Sequence, residues 1–331
     1  MNTSVWRDAG PQLRTQEVLD ALEDIFKGLA RGDNRQPGQV SLDLPDGGGD
    51  VIYYPAVLGS QGLIGVAVSP YLTRLAEAGE NPVTNYMLVL SAETGEPVLL
   101  CEGHELVVIR TGATSALAAR VLAKSRVEKI AIIGSGPIAV SHCRFLKHVF
   151  GESQVSVWSP SLIEPDHSSR RKLFAATASK VTFGKSLEDC VAQADIVALC
   201  TSSVEPIVKH AVGSEESLLI SVGTDGPLAH EIAPLLLPEM DVYCDYRPTT
   251  PSVAGEMVLA TQAGAWSAER ILADLGELIS ERVAPEDTGR RRYFRSVGLG
   301  VEDLAMASLV LESGLGDKSR SSVPDARADS R

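Results

Sequence analysis

Cysteine is scarce: the 331 residues hold five, Cys101, Cys143, Cys190, Cys200 and Cys244, with no Cys-x-x-Cys pair and no short spacing to a histidine. This argues against a disulfide framework and against a zinc-ligand pattern, so no metal is expected and scattered thiols suit a reducing cytoplasm. Positive charge is also short. Lys and Arg number 30 against 43 Asp and Glu, and the formal net charge of -13 repels nucleic acid and anionic membrane surfaces. A small-molecule partner is expected, and an anionic cofactor must be held by local backbone amides and a few placed arginines. No apolar run approaches the length of a membrane span, and nothing near Met1 has the basic-then-apolar order of a secretory signal. No internal repeat is present.

What remains is the composition of a folded soluble chain, 44% hydrophobic and 22% charged, at a length where two domains sharing a cleft are common. Apolar residues at helical spacing between Thr15 and Leu29, followed by Gly32-Asp33-Asn34, predict an opening helix. Val51-Tyr54, Leu63-Val68, Tyr86-Leu90 and Val98-Leu100 then read as a mainly antiparallel sheet. The Ala- and Leu-rich stretch Thr111 to Ala123 predicts a buried connecting helix. After it, Lys129-Ile133, Val155-Trp158, Ile196-Cys200 and Leu218-Val222 alternate with helix-length segments, the texture of a parallel α/β sheet. The fold class is therefore α/β, a Rossmann-type parallel-sheet domain over 123–301 plus a mixed α+β domain from 1–122 with 302–316. Val301 to Gly314 reads as a helix, and 317–331 as a polar tail too poor in apolar side chains to offset ordering.

The chemistry begins at Gly134-Ser135-Gly136-Pro137-Ile138-Ala139, a Gly-x-Gly-x-x-Ala loop lying between the strand Lys129-Ile133 and the helical run Val140-Phe150. Gly134 permits a tight turn, Gly136 lets the backbone approach a pyrophosphate, and Ala139 is small enough for close helix packing. The helix N-terminus then presents free N–H donors to the phosphates. An acidic residue about 20 positions on would bind the ribose 2′-hydroxyl of NAD, but the strand Val155-Trp158 ends in Ser159-Pro160-Ser161. A neutral Ser159, with Arg170 and Arg171 beyond it, leans toward NADPH, with NADH possible. A solvated helix face is the competing reading of the two arginines.

From Arg110-Thr111-Gly112-Ala113-Thr114-Ser115-Ala116-Leu117-Ala118 onward the chain resembles the ornithine cyclodeaminase/μ-crystallin family. The likeness spans nearly the whole length. It includes Thr94-Gly95-Glu96-Pro97, the loop from Gly134, Ala194-Asp195-Ile196-Val197 through Thr201-Ser202-Ser203, and Val222-Gly223-Thr224-Asp225. It continues through Asp274-Leu275-Gly276-Glu277-Leu278 and Phe294-Arg295-Ser296-Val297-Gly298 to Glu302-Asp303-Leu304-Ala305. The resemblance implies a two-domain homodimer with hydride chemistry on amino acids, imino acids or ketimines. It implies that Arg110 binds the substrate carboxylate, that Asp225 handles a proton near the reacting carbon, and that Thr201 lies in the turn beside the nicotinamide and the adenine ribose. Ser202, Val222 and Gly223 stand with it as cofactor-binding candidates. Read without the family, Arg110 is a structural ion-pair partner and Asp225 a turn residue.

Two cations of the family pattern are replaced. The Gly-Val-Lys lysine corresponds to Ala67 in Gly65-Val66-Ala67, and the carboxylate-binding cation after a proline corresponds to Gln39. Arg35 or Arg74 are the cations near those positions, and His104, with Tyr53 and Tyr54, falls on segments expected to face the cleft, where it is a candidate catalytic replacement for the missing proton donor; a satisfied structural histidine between short strands is the competing reading. The expected function is an NAD(P)H-dependent reductase or dehydrogenase acting on the C=N or CH–NH group of an imino or amino acid. Two alternatives stay open: a μ-crystallin-like protein that holds NADPH or a small ligand without turnover, and an ammonia lyase using tightly bound NAD.

Overall fold

Val18, Leu19, Leu22, Ile25 and Phe26 fall on one stripe of a helix of 3.6-residue period, and α1 (Thr15–Arg31) buries all five. Withdrawing a side chain of this kind from water contributes about 1.5–3 kcal/mol. Gly32 ends the helix in left-handed backbone at φ +81°, where its N–H bonds the carbonyls of Gly28 and Leu29. The structure, a computed structural model, describes residues 4–5, 13–80, 82–164, 167–177, 180–203, 205–223, 228–313 and 321–322. The chain divides into two compact units, Met1–Arg110 with Leu299–Arg331 and Thr111–Gly298.

The first unit holds an antiparallel sheet of β1 (Asn34–Arg35), β2 (Val40–Asp43), β3 (Gly49–Leu58), β4 (Leu63–Leu72), β5 (Tyr86–Ser91) and β6 (Pro97–Glu102). The order is β1-β3-β4-β5-β6, with β2 also on β3, and α2 (Thr73–Glu77) follows β4. Alternation sets the two faces. Ala56, Ala67, Met87, Val89, Leu99 and Cys101 point to the buried side, whereas Ile64, Leu88 and Val98 remain 39%, 36% and 41% exposed on the other. The helix α3 (His104–Leu122) follows β6 and starts well before the expected Thr111. His104, expected between short strands, is the first residue of that helix.

The second unit carries β7 (Lys129–Ile133), β8 (Gln154–Trp158), β9 (Val181–Phe183), β10 (Ile196–Leu199), β11 (Leu218–Ser221), β12 (Asp241–Cys244), β13 (Ile271–Asp274) and β14 (Arg292–Arg295). All eight run parallel, in the order β9-β8-β7-β10-β11-β14-β12-β13. β10, β11 and β12 are buried at every position, as strands covered on both faces must be. Helices α4 (Pro137–Val149), α5 (Ser168–Ala176), α6 (Leu187–Val191), α7 (Gly255–Gln262) and α8 (Leu275–Ile279) lie among the connections. From β7 the chain winds outward through β8 and β9, then returns to the other side of β7 as β10. That reversal is a topological switch point, where the carboxyl ends of strands leave a crevice. The strands β9, β12, β13 and β14 were not foreseen from the sequence.

The last helix, α9 (Gly300–Glu312), belongs to the first unit and is buried from Gly300 through Ser308. Leu304 sits over Gly65, and a Cβ at Gly300 would lie 2.6 Å from the Tyr54 carbonyl oxygen and 2.7 Å from that of Pro55. Of the polar tail expected at 317–331, only Ser321–Ser322 falls within the described residues, its backbone pairing antiparallel with Ser4–Val5. The Gly300→Ala substitution tests the close approach of α9 to β3. Because the obstructing atoms are backbone, unfolding in urea should show a loss of about 1–3 kcal/mol, and unchanged stability would contradict the packing described.

Candidate active site

The switch point is built from two backbones in contact. Gly134, at the end of β7, has φ +135°, and a Cβ there would strike the Cys200 carbonyl oxygen and lie 2.9 Å from its carbon. Only glycine meets both conditions. Gly136 is different: a Cβ there would meet nothing within 4 Å, so the space above it is open. It is the N-cap of α4, has no side-chain cap, and is followed by Pro137 in the first helical position, a residue lacking the N–H that the helix would leave unbonded. Ile138 and Ala139 come next, and Ala139 is fully buried against the sheet. Open space over an uncapped helix end fits the pyrophosphate of a dinucleotide.

At the end of β8, Ser159 stands where a ribose-binding acid would be, and three hydroxyls meet there. Ser135 Oγ lies 3.2 Å from Ser159 Oγ and 2.8 Å from Ser161 Oγ, and Ser159 and Ser161 are 3.1 Å apart. Arg170 is turned elsewhere, its Nε donating to the Leu162 carbonyl at 3.1 Å and its guanidinium 4.3 Å from the centre of the Phe183 ring. Arg171 is exposed.

Below the loop, His142 of α4 is fully buried between the Ile138 carbonyl and Ser115 Oγ, each 2.8 Å from a ring nitrogen. Burial pushes its pKa down to about 4, against hydrogen bonding at Ile138 that favours the cation.

The sequence reading missed a buried polar network under the ends of β10, β11, β12 and β14. Glu231, fully buried, accepts from the Thr201 N–H and hydroxyl at 2.8 Å each through Oε1. Its Oε2 accepts from Ser221 Oγ at 2.8 Å, the Gly223 N–H at 3.0 Å and the Val222 N–H at 3.1 Å. Arg295, also fully buried, donates to Ser221 Oγ at 3.0 Å and to the Gly223 carbonyl at 2.7 Å, and its Nε is 3.3 Å from Glu256. Tyr293 donates to the same Glu256 oxygen at 3.0 Å. Asp245 accepts from the N–H groups of Val297 and Tyr246 at 2.7 and 2.8 Å. Arg295 carries a signal in the sequence as a member of the block Phe294-Arg295-Ser296-Val297-Gly298, whereas Glu231 belongs to no spacing motif. Of the cofactor candidates Thr201, Ser202, Val222 and Gly223, three are therefore held by one carboxylate. Asp225 lies outside the described residues.

In the first unit, Arg110 on α3 is 6% exposed, with Nε donating to Asp303 at 2.9 Å and Nη1 3.5 Å from Glu302. Burial works against the guanidinium charge, but the two carboxylates outweigh it and its pKa rises. Burial also raises the Asp303 carboxyl, opposed by Arg110, and Asp303 Oδ2 has no hydrogen-bond partner among the described residues. Tyr54 lies across the strand pair from Ala67, the position of the family lysine, and burial lifts its phenol to about 12 against the pull of Arg110. Gln39 is half-buried, while neighbouring Gln36 accepts the Val301 N–H at 3.0 Å. His104 is half-exposed. Among the described residues no group of three His, Cys, Asp or Glu could hold a metal ion. None of their helices is long and apolar enough to cross a membrane.

Known proteins resemble this chain over most of its length. A profile of the ornithine cyclodeaminase/mu-crystallin family matches residues 4–318. The NAD(P)H-dependent anabolic L-arginine dehydrogenase DauB of Pseudomonas aeruginosa is 40% identical over 292 residues, covering 88% of this chain and 90% of the relative. The alanine dehydrogenase of Archaeoglobus fulgidus is 26% identical over 303 residues, 90% of each chain. Among solved structures, the Δ1-pyrroline-2-carboxylate reductase of Thermococcus litoralis in complex with NADH and L-proline superposes with a TM-score of 0.87. It covers 97% of this chain and 100% of that one at 23% identity, a likeness of fold.

The buried histidine gives a test by pH. Its folded pKa lies below the unfolded value near 6.5, so its stabilising contribution is complete above that value and is lost as pH falls toward 4. Between pH 7 and pH 5 this loss is about 2 kcal/mol. Urea unfolding of His142→Gln should therefore show a shallower decline over that range than the parent chain. Parallel pH profiles would contradict a neutral buried imidazole.

Proposed function

The chain belongs to the ornithine cyclodeaminase/mu-crystallin family, and from that footing we propose an NAD(P)H-dependent oxidoreductase acting on the C=N or CH–NH group of a cationic α-amino acid or its imine, L-arginine first. The observation that carries the choice of substrate is the 40% identity to the arginine dehydrogenase over 88% of this chain. The open, uncapped N-terminus of α4 at Gly136 supports the dinucleotide.

The reduced nicotinamide supplies a hydride to the imine carbon. The protein's own part is binding and proton handling. The N–H groups of Ile138 and Ala139 hold the pyrophosphate, and Ser135, Ser159 and Ser161 receive the adenine ribose. With no carboxylate in that hydroxyl cluster to repel a 2′-phosphate, NADPH is the preferred form, and NADH is accepted. Arg110 orients the substrate carboxylate with a planar fork, as a bidentate guanidinium can. Asp225, by its position two residues after Gly223, gives the proton to nitrogen in the reductive direction and takes it back in the other. His104 is assigned a supporting place in proton transfer on its sequence position alone. The exposed apolar side chains Ile64, Leu88 and Val98 favour a homodimer joined through that face of the antiparallel sheet. The setting proposed is the cytoplasm.

Purified protein mixed with NADPH, ammonium and the 2-oxo acid of arginine should consume reduced nicotinamide, faster than with NADH. No consumption with this substrate or with a panel of cyclic imino acids, despite tight cofactor binding, would leave a binding protein without turnover. The Arg110→Lys variant keeps a charge beside Asp303 and Glu302 but loses the fork. Its kcat/KM should fall about tenfold or more, as loss of a charge-assisted hydrogen bond worth roughly 1.5–3 kcal/mol implies. An unchanged kcat/KM would remove Arg110 from the substrate.

A further inference from the structure

Glu231 is a charged group with no access to water, and its environment is unusual in what it joins. Its two oxygens take five donors drawn from two separate loops, Thr201 after β10 and Ser221, Val222 and Gly223 at the end of β11. Burying a carboxylate without such partners costs several kcal/mol, so the donors and the acid are mutually dependent. Gly223 is fitted to it: a Cβ there would lie 2.9 Å from the Glu231 carboxyl carbon and 3.0 Å from the Thr201 carbonyl oxygen. Arg295 closes the arrangement from below through Ser221 Oγ and the Gly223 carbonyl. The main chain beside Glu231 is itself fixed, because its carbonyl accepts from the N–H groups of Ile207 and Val208 at 3.0 Å each.

The loops so joined lie on one side of the switch point. The Gly134 loop and Ser159 lie at the ends of β7 and β8, on the side that takes the adenine half of a dinucleotide spread across such a crevice. The ends of β10 and β11 are left for the nicotinamide half. We infer that Glu231 is the positioning residue of the nicotinamide half-site, its carboxylate clamping the 201 and 221–223 loops into one surface. This rests on the dinucleotide reading above. It also changes what those loops offer: the N–H groups of Thr201, Val222 and Gly223 are spent on Glu231, so contact with the cofactor comes from their other atoms. The same clamp fixes the chain two residues ahead of Asp225.

A glutamine cannot replace this acid. Backbone N–H groups face both oxygens, so an amide NH₂ turned either way leaves a donor without an acceptor: that of Thr201 on one side, those of Val222 and Gly223 on the other. The test is fluorescence titration of the parent chain and Glu231→Gln with NADPH and with 2′-phospho-ADP-ribose, which lacks the nicotinamide, alongside melting curves. The expected result is an NADPH dissociation constant raised tenfold or more, while that for the nicotinamide-free fragment changes less than threefold. In turnover the kcat should drop as well as the NADPH KM rise. Equal weakening of both ligands, or of neither, overturns the inference. If the parent chain itself binds neither ligand, the dinucleotide reading and the inference fall together. Should Glu231→Gln not fold, Ser221→Ala and Thr201→Val each remove one tie. Each should show a several-fold loss confined to NADPH, and fragment and cofactor affinities both unchanged in the two variants would also overturn it.

Discussion

Two main chains touching at Gly134 and Cys200 are the constraint on which the site depends. Neighbouring parallel strands can end in a ligand-binding crevice only if the turn leaving one of them stays clear of the ligand. Gly134 achieves this by running against the Cys200 carbonyl in a conformation closed to other residues. The turn then delivers α4 with its first amides uncapped, and the open space over Gly136 follows. For a chain of net charge -13, such local donors are how an anionic cofactor is attracted at all.

Behind this surface the protein invests in buried charge. Glu231, Arg295, Glu256 and Asp245 are all withdrawn from water, yet the three acids accept from backbone or hydroxyl donors, and Arg295 donates to Ser221 Oγ and the Gly223 carbonyl. Apolar residues of the same volume would serve stability as well or better. What the charges provide is direction: they fix loops that have no ladder of their own to hold them. Arg110 with Glu302 and Asp303 does the same within the first unit, where α3 and α9 meet. A guanidinium shared by two acids is held in one orientation.

The sequence disclosed the parts of the fold whose signal is local. β7 is legible with its bounds, and β8, β10 and β11 to within a residue, because each is a short, mainly apolar run. β9 is only Val181–Phe183, while β12 begins with Asp241, and β14 begins and ends with arginine, so these lack that signature and acquire strand form from their neighbours. The start of α3 was hidden for a related reason. Val107, Val108 and Ile109 are β-branched and favour strands in isolation, and packing overrides the preference. At the site, the glycine loop and the neutral Ser159 are legible because they follow directly on a strand, whereas the meeting of Ser135, Ser159 and Ser161 is not. Glu231 was not, since its partners come from residues 201 and 221–223 and only the folded sheet brings them together.

The central claim is that amides opening α4 receive a pyrophosphate. Hydrogen–deuterium exchange with and without NADPH reads those amides directly. The account predicts strong slowing at Ile138 and Ala139 on adding the cofactor, with little change in the antiparallel sheet of the first unit. Cofactor binding that leaves exchange at 134–140 unaltered would contradict it.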